Sequence, residues 1–168
     1  MIFGRKKAIS YVEIILVLTI VGVISAISVP SMKRHSQKTE LGGLAQKAFL
    51  TMNQVVDSAI LVNGPTRNWA NDSSESFFAV LIPFFNVLNS SKTSVVTKDK
   101  MRYYIDDKEK ADYTTVNVDV NGDNGPNVDG KDRHSFKVFH NNGTIEPIGD
   151  TLQLAKDGWQ FTDALWYK

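Results

Sequence analysis

The sequence predicts an α+β protein, with one long N-terminal helix followed by an antiparallel sheet of three or four strands. Three observations carry this. Ile9 to Val29 is an apolar run of 21 residues whose only charged side chain is Glu13. Leu41, Ala45, Ala48, Met52, Val55, Ala59 and Val62 then recur at steps of three and four, which marks one face of an amphipathic helix. Period-two alternation comes late, in "MRYYI", "TTVNVDV" and "HSFKVFH" after residue 100.

The front of the chain is built for lipid. At about 1.5 Å per residue, 21 helical residues span roughly 31 Å, one hydrocarbon core. Arg5, Lys6 and Lys7 precede the run. Positive flanks stay on the cytoplasmic side, which predicts an inside N-terminus and a translocated body. Lys33, Arg34 and Lys38 flank the far end as well, so the charge bias is shared. Glu13 is the anomaly, because a carboxylate at membrane depth costs about 2.5–3.5 kcal/mol on insertion scales.

Three readings compete for this segment. A secretory signal peptide has a basic start and an apolar centre, and "AIS" at Ala26–Ser28 offers small residues for cleavage. The run is longer than the usual apolar region of about 7–15 residues, and it holds a charge. A plain membrane anchor accounts for the length but leaves Glu13 unexplained. The whole pattern, "KKAISYVEIILVLTIVGVISAISVP", resembles the N-terminus of type IV pilins and of the pseudopilins of type II secretion.

The resemblance implies a basic leader, residues 1–8, removed between Ala8 and Ile9 by a prepilin peptidase that also methylates the new N-terminus. Ala8 stands where the family usually has Gly, and Ile9 where it usually has Phe. Glu13 then becomes the fifth mature residue, Gly22 the fourteenth and Pro30 the twenty-second, all family positions. Glu13 is expected to pair with the α-amino group of Ile9 on a neighbouring subunit and so set the stagger of a filament. A pair within one chain, or a snorkelling carboxylate, is the competing account. The implied partners are other pilins in a homo- or hetero-oligomeric filament, the peptidase, an inner-membrane assembly platform and the membrane itself. The implied location is the bacterial inner membrane, with the body periplasmic or extracellular.

The organisation expected after the leader is a membrane and assembly helix over residues 9–29 and its amphipathic continuation over 30–62. A connecting region follows over 63–100, then a sheet with an Asp/Asn/Gly-rich loop and aromatic tail over 101–168. Pro30 predicts a kink or loosening at the membrane exit, and Gly42-Gly43 a second weak point. "NGP" at Asn63–Pro65 predicts the helix stop. In the connecting region, "FFAVLIPFFNVL" reads as a short helix and loop packed on the body, broken at Pro83. "HSFKVFH", "NNG" and "TIEPI" read as a hairpin. His134 and His140 bound one strand pattern and read as surface or turn residues. Trp159 or Trp166 is expected to fasten the tail to the body.

"DVNGDNGPNVDGKD" at Asp119–Asp132 is the one dense polar constellation. Asp119, Asn121 and Asp123 fall at positions 1, 3 and 5 of an EF-hand-like count, hard oxygen donors at calcium spacing. The count then fails: position 6 is Asn124 rather than Gly, and position 12 is Gly130 rather than Glu. The stretch also resembles a loop found in many pilin-like proteins, and C-terminal loops bind calcium in some type II secretion pseudopilins. Asp119, Asn121, Asp123, Asn127, Asp129 and Asp132 are the candidate Ca2+ ligands. A turn-rich loop whose Asx side chains bond their own backbone describes the same residues.

Composition narrows the rest. Residues 1–62 carry seven Lys/Arg against three Asp/Glu, and residues 63–168 carry twelve against fifteen. A net-negative body does not suit nucleic acid, which needs a basic stripe with aromatics. Cysteine is absent, which rules out disulfides, thiolate metal sites and a cysteine nucleophile. The three histidines form no HExxH pattern, and no GxSxG or P-loop occurs, so no enzyme is expected. The expected function is a structural subunit of a type IV pilus-like or type II secretion filament. The alternatives are a secreted binding protein with a cleaved signal peptide and a membrane-anchored calcium-binding domain that never polymerises.

Overall fold

The computed structural model describes residues 10–69, 73–106, 112–122 and 124–168. The chain divides into two compact units, Met1–Gln37 and Lys38–Lys168. Helix α1, Tyr11–Asn63, contributes residues to both.

In the first unit α1 buries nothing. Its most apolar 18-residue window has a mean hydropathy of 2.6 and no buried residue, so by length and composition it can cross a membrane. Fourteen large apolar side chains between Tyr11 and Met32 are exposed. At about 1.5–3 kcal/mol each, leaving them in water costs on the order of 20 kcal/mol or more. Pro30 lies inside α1 rather than ending it. It lacks an N–H for the carbonyl four residues earlier, so α1 forgoes one bond there.

In the second unit the same helix buries one stripe: Leu41, Gly42, Ala45, Ala48, Met52, Val55, Val56 and Ala59. Val62, expected to extend this stripe, is 72% exposed, because α1 ends one residue later and the body has fallen away. Helix α2, Ser74–Leu81, is capped by Ser73, whose hydroxyl accepts the Ser76 N–H at 3.1 Å. It buries Phe77, Phe78 and Leu81, and a 3-10 turn holding Pro83 ends it.

Among the described residues the sheet has six strands, not the three or four expected. They are β1 Val87–Ser90, β2 Ser94–Thr97, β3 Arg102–Ile105, β4 Tyr113–Asp119, β5 Arg133–Phe139 and β6 Ile145–Ile148. All neighbours are antiparallel and the spatial order follows the chain, a simple meander. The two extra strands form a hairpin inside the region expected to be irregular. Each is only four residues long, and β1 is an exposed edge with a register shift between Val87 and Asn89. An edge strand has little apolar alternation to reveal it. The register places Val95, Tyr103 and Val118 in one row and Ile105, Val116 and Phe136 in the next. These face the α1 stripe and form one core with it. Helices α3, Asp150–Lys156, and α4, Asp163–Trp166, close the chain.

The two strand histidines are not at the surface. His134 is 1% and His140 5% exposed. Both occupy inward positions of β5 and its end, and each is tolerated because its ring nitrogens find partners. His140 Nε2 meets Thr114 Oγ1 at 2.9 Å, and its ring packs on Phe77.

Candidate functional site

Two places carry the residues singled out by sequence. The first is the start of α1. Ala8 and Ile9 lie outside the described residues. The Ser10 N–H donates to Glu13 Oε2 at 2.8 Å, so the carboxylate caps the first turn of its own helix. Glu13 is otherwise exposed. Gly22 is equally unengaged: a Cβ built there meets nothing within 4 Å. Within this chain, then, Gly22 has no packing reason to be Gly. Gly42 has one, because its Cβ would sit 2.2 Å from the Trp159 carbonyl oxygen. The expected weak point is a close contact.

The second place is the loop between β4 and β5. Asp132 is fully buried, and its role is structural. Its Oδ2 accepts the Asn127 N–H at 2.6 Å and its Oδ1 accepts the Val128 N–H at 2.7 Å. A carboxylate spent on two backbone donors ties the loop to its own end. Asn127 and Asp129 are exposed, and Asp123 lies outside the described residues. Asp119 and Asn121 differ from these. Asp119 Oδ2 accepts from Arg133 Nε at 3.3 Å, but Asp119 Oδ1 is buried without a hydrogen-bond partner. Asn121 Oδ1 is likewise buried and unpartnered, while its amide nitrogen donates to the Gly125 carbonyl at 3.2 Å.

Burial raises the Asp119 carboxyl above the usual carboxylate range; the Arg133 bond pulls the other way and the Asp132 charge adds to the rise. A cation beside Oδ1 would relieve that strain. The fit to calcium is partial. Asp119 and Asn121 present the unspent hard oxygens that such an ion takes, and Asp132 does not. Among the described residues no three acidic or histidine side chains converge as a ready ligand set.

Sequence reasoning missed the residues that hold this loop from behind. His134 Nε2 meets the Lys131 carbonyl at 3.1 Å, and its Nδ1 meets Thr151 Oγ1 at 3.3 Å. Burial pushes the His134 pKa down to about 4 against smaller opposing effects of the Lys131 carbonyl and Asp132, so the ring is neutral. It therefore carries one N–H, which the carbonyl requires. Both Thr–His contacts are buried. A surface groove of about 610 Å3 also opens beside α1, with the Lys47–Asp99 ion pair at its rim.

Compared with known proteins, the chain matches no family model, no curated protein and no solved structure.

Proposed function

We propose that this chain is a filament subunit of the type IV pilin and pseudopilin kind, with a pilin-like fold, processed at Ala8–Ile9 and assembled through its N-terminal helix. The observation that carries this reading is the pairing of opposites in the first unit. A wholly exposed apolar helix of membrane-spanning length bears a single carboxylate at its head. Such a helix has two possible coverings, lipid before assembly and neighbouring helices after it. Hydrolysis of the Ala8–Ile9 peptide bond frees an amine four positions before Glu13 in the sequence. In a bundle of parallel helices, the amine of one subunit and Glu13 of the next neutralise each other where water is scarce. Glu13 then exchanges its bond to Ser10 for a charged one.

The intact mass of the membrane-extracted chain tests processing. Loss of residues 1–8 supports this reading, and loss of residues 1–28 supports a secreted protein instead. Ala8→Arg places a charged side chain in a peptidase pocket shaped for a small one. It is expected to leave the precursor uncut, and a mature form of normal size would place the cut elsewhere. Glu13→Leu makes insertion no harder but strands the amine of Ile9. Removing one member of a buried pair costs about 3–5 kcal/mol. Subunits should accumulate in the membrane and filaments should fail; normal filament yield would refute the pair.

The unspent oxygens of Asp119 and Asn121 favour a second property, calcium binding by the loop. Asp119 and Asn121 are the first-named ligands, and the exposed Asp129 is free to approach. A calcium ion would supply positive charge to a buried carboxylate whose only ionic partner in the described residues is Arg133. Binding to the folded form stabilises the body by RT ln(1 + [L]/Kd), about 2.7 kcal/mol at a hundredfold excess over Kd, and so raises its melting temperature. Melting in chelator and then in millimolar calcium measures this, with Asp119→Ala as control. An unmoved transition leaves a self-bonded turn.

A further inference from the structure

The loop, the C-terminal segment and α1 meet around one indole. Lys131, in the loop, places its ammonium 5.4 Å from the Trp166 ring centroid. Lys38, the first residue of the second unit, places its own 5.6 Å from the same ring and 5.1 Å from Tyr167. Its side chain is only 14% exposed and pairs with Asp163. Beyond Trp166 the segment continues its hold on α1. The Trp159 carbonyl lies against Gly42, and Leu165 and Leu154 enclose Ala45 in a small core of their own. The loop reaches the same segment by a second path. Gly130 lies so close to Asp150 that a Cβ would sit 2.8 Å from that side chain, and Asp150 bonds Lys168 at 2.7 Å. The Lys131 backbone is fixed from below by His134.

We propose that the 119–132 loop and residues 157–168 work as one device, in which order in the loop sets how firmly that segment holds α1 at Lys38–Ala45. The contact Lys131 makes is with Trp166, so what its ammonium transmits passes through that ring. Any ligand that orders the loop therefore tightens the grip, and any change that loosens the loop releases it. Only the calcium arm of the test rests on the proposed calcium site.

Hydrogen exchange of the full chain in detergent micelles reads this directly. Lys131→Ala should speed exchange at amides 38–45 and 162–168 by about three- to tenfold, the size of one cation–π contact. Amides 116–118 and 136–138 in the sheet should not change. Asp132→Asn, which slackens the loop without touching Trp166, should reproduce the pattern. Unchanged exchange at 38–45 in both variants overturns the proposal, and so does a uniform acceleration that includes the sheet. Added calcium should slow 38–45 in the unmodified chain and do so less in Lys131→Ala, which keeps only the path through Asp150 and Lys168. Calcium that slows the loop alone overturns the coupling. Calcium that slows nothing refutes the calcium site, and the two variants then decide the coupling by themselves.

Discussion

The two stretches of α1 use apolar residues in opposite ways. From Tyr11 to Met32 apolar side chains surround the helix and all are exposed. From Leu41 to Ala59 most of them form one buried stripe, with Leu50 left exposed on the other face. The difference lies in spacing rather than content. An all-round apolar surface cannot be covered by one sheet, so it needs a surrounding medium. A stripe needs only one partner, and the body supplies it. The two glycines mark the same divide, since a Cβ at Gly22 would meet open space and one at Gly42 would strike the Trp159 backbone.

The sharpest break of this comparison is a pair of truncations in the full chain in micelles. Phe136→Ala empties a fully buried site against Phe49 and should cost the body about 3–5 kcal/mol in thermal or denaturant unfolding. Leu18→Ala should leave that transition in place, because Leu18 is 65% exposed. A comparable loss from Leu18→Ala would mean the first unit is packed after all.

Acid tests the body alone. The His134 pKa falls from its ordinary value near 6.5 to about 4 on folding, so the unfolded state takes up the proton first. Its contribution is fully present above pH 6.5 and is lost progressively as pH falls towards 4, up to about 3 kcal/mol. His134→Gln, which retains a donor for the Lys131 carbonyl, should flatten the stability profile between pH 6.5 and 4. An equally steep profile in that variant would assign the acid response to other groups.

A Cβ sharpens the contrast between the glycines. Gly42→Ala forces the Trp159 backbone away and should cost about 1–3 kcal/mol, the range for overpacking. Gly22→Ala should leave body melting unchanged, because a Cβ there meets nothing within 4 Å. The smallest effect is expected at the Lys47–Asp99 pair, whose N–O distance is 2.6 Å but whose side chains are 53% and 37% exposed. Lys47→Met should change stability by about 0–1 kcal/mol. A larger loss would show that the adjoining groove depends on it.

Most of the helical architecture was legible in the chain, because periodicity reports burial directly. The stripe from Leu41 to Ala59, the stop near Asn63 and the buried phenylalanines of "FFAVLIPFFNVL" follow from spacing and from Pro83. Strands β3 to β6 were legible for the same reason. The site was legible in part. Glu13 stands out because its charge contradicts its surroundings, and the Asx-rich loop because its composition is dense.

What only the tertiary structure decided is which polar groups are left without partners and which are spent. Asp119 and Asp132 are the same residue type in the same loop. One keeps an unpaired oxygen and the other serves two backbone amides, a distinction set by the chain path around them. Burial of His134 and His140, the edge hairpin of β1 and β2, and the approach of Trp159 to Gly42 depend likewise on contacts between residues far apart in sequence. Local spacing determines which face of an element is apolar. The partner that covers that face, and the polar atoms trapped beneath it, are fixed only when distant segments close over one another.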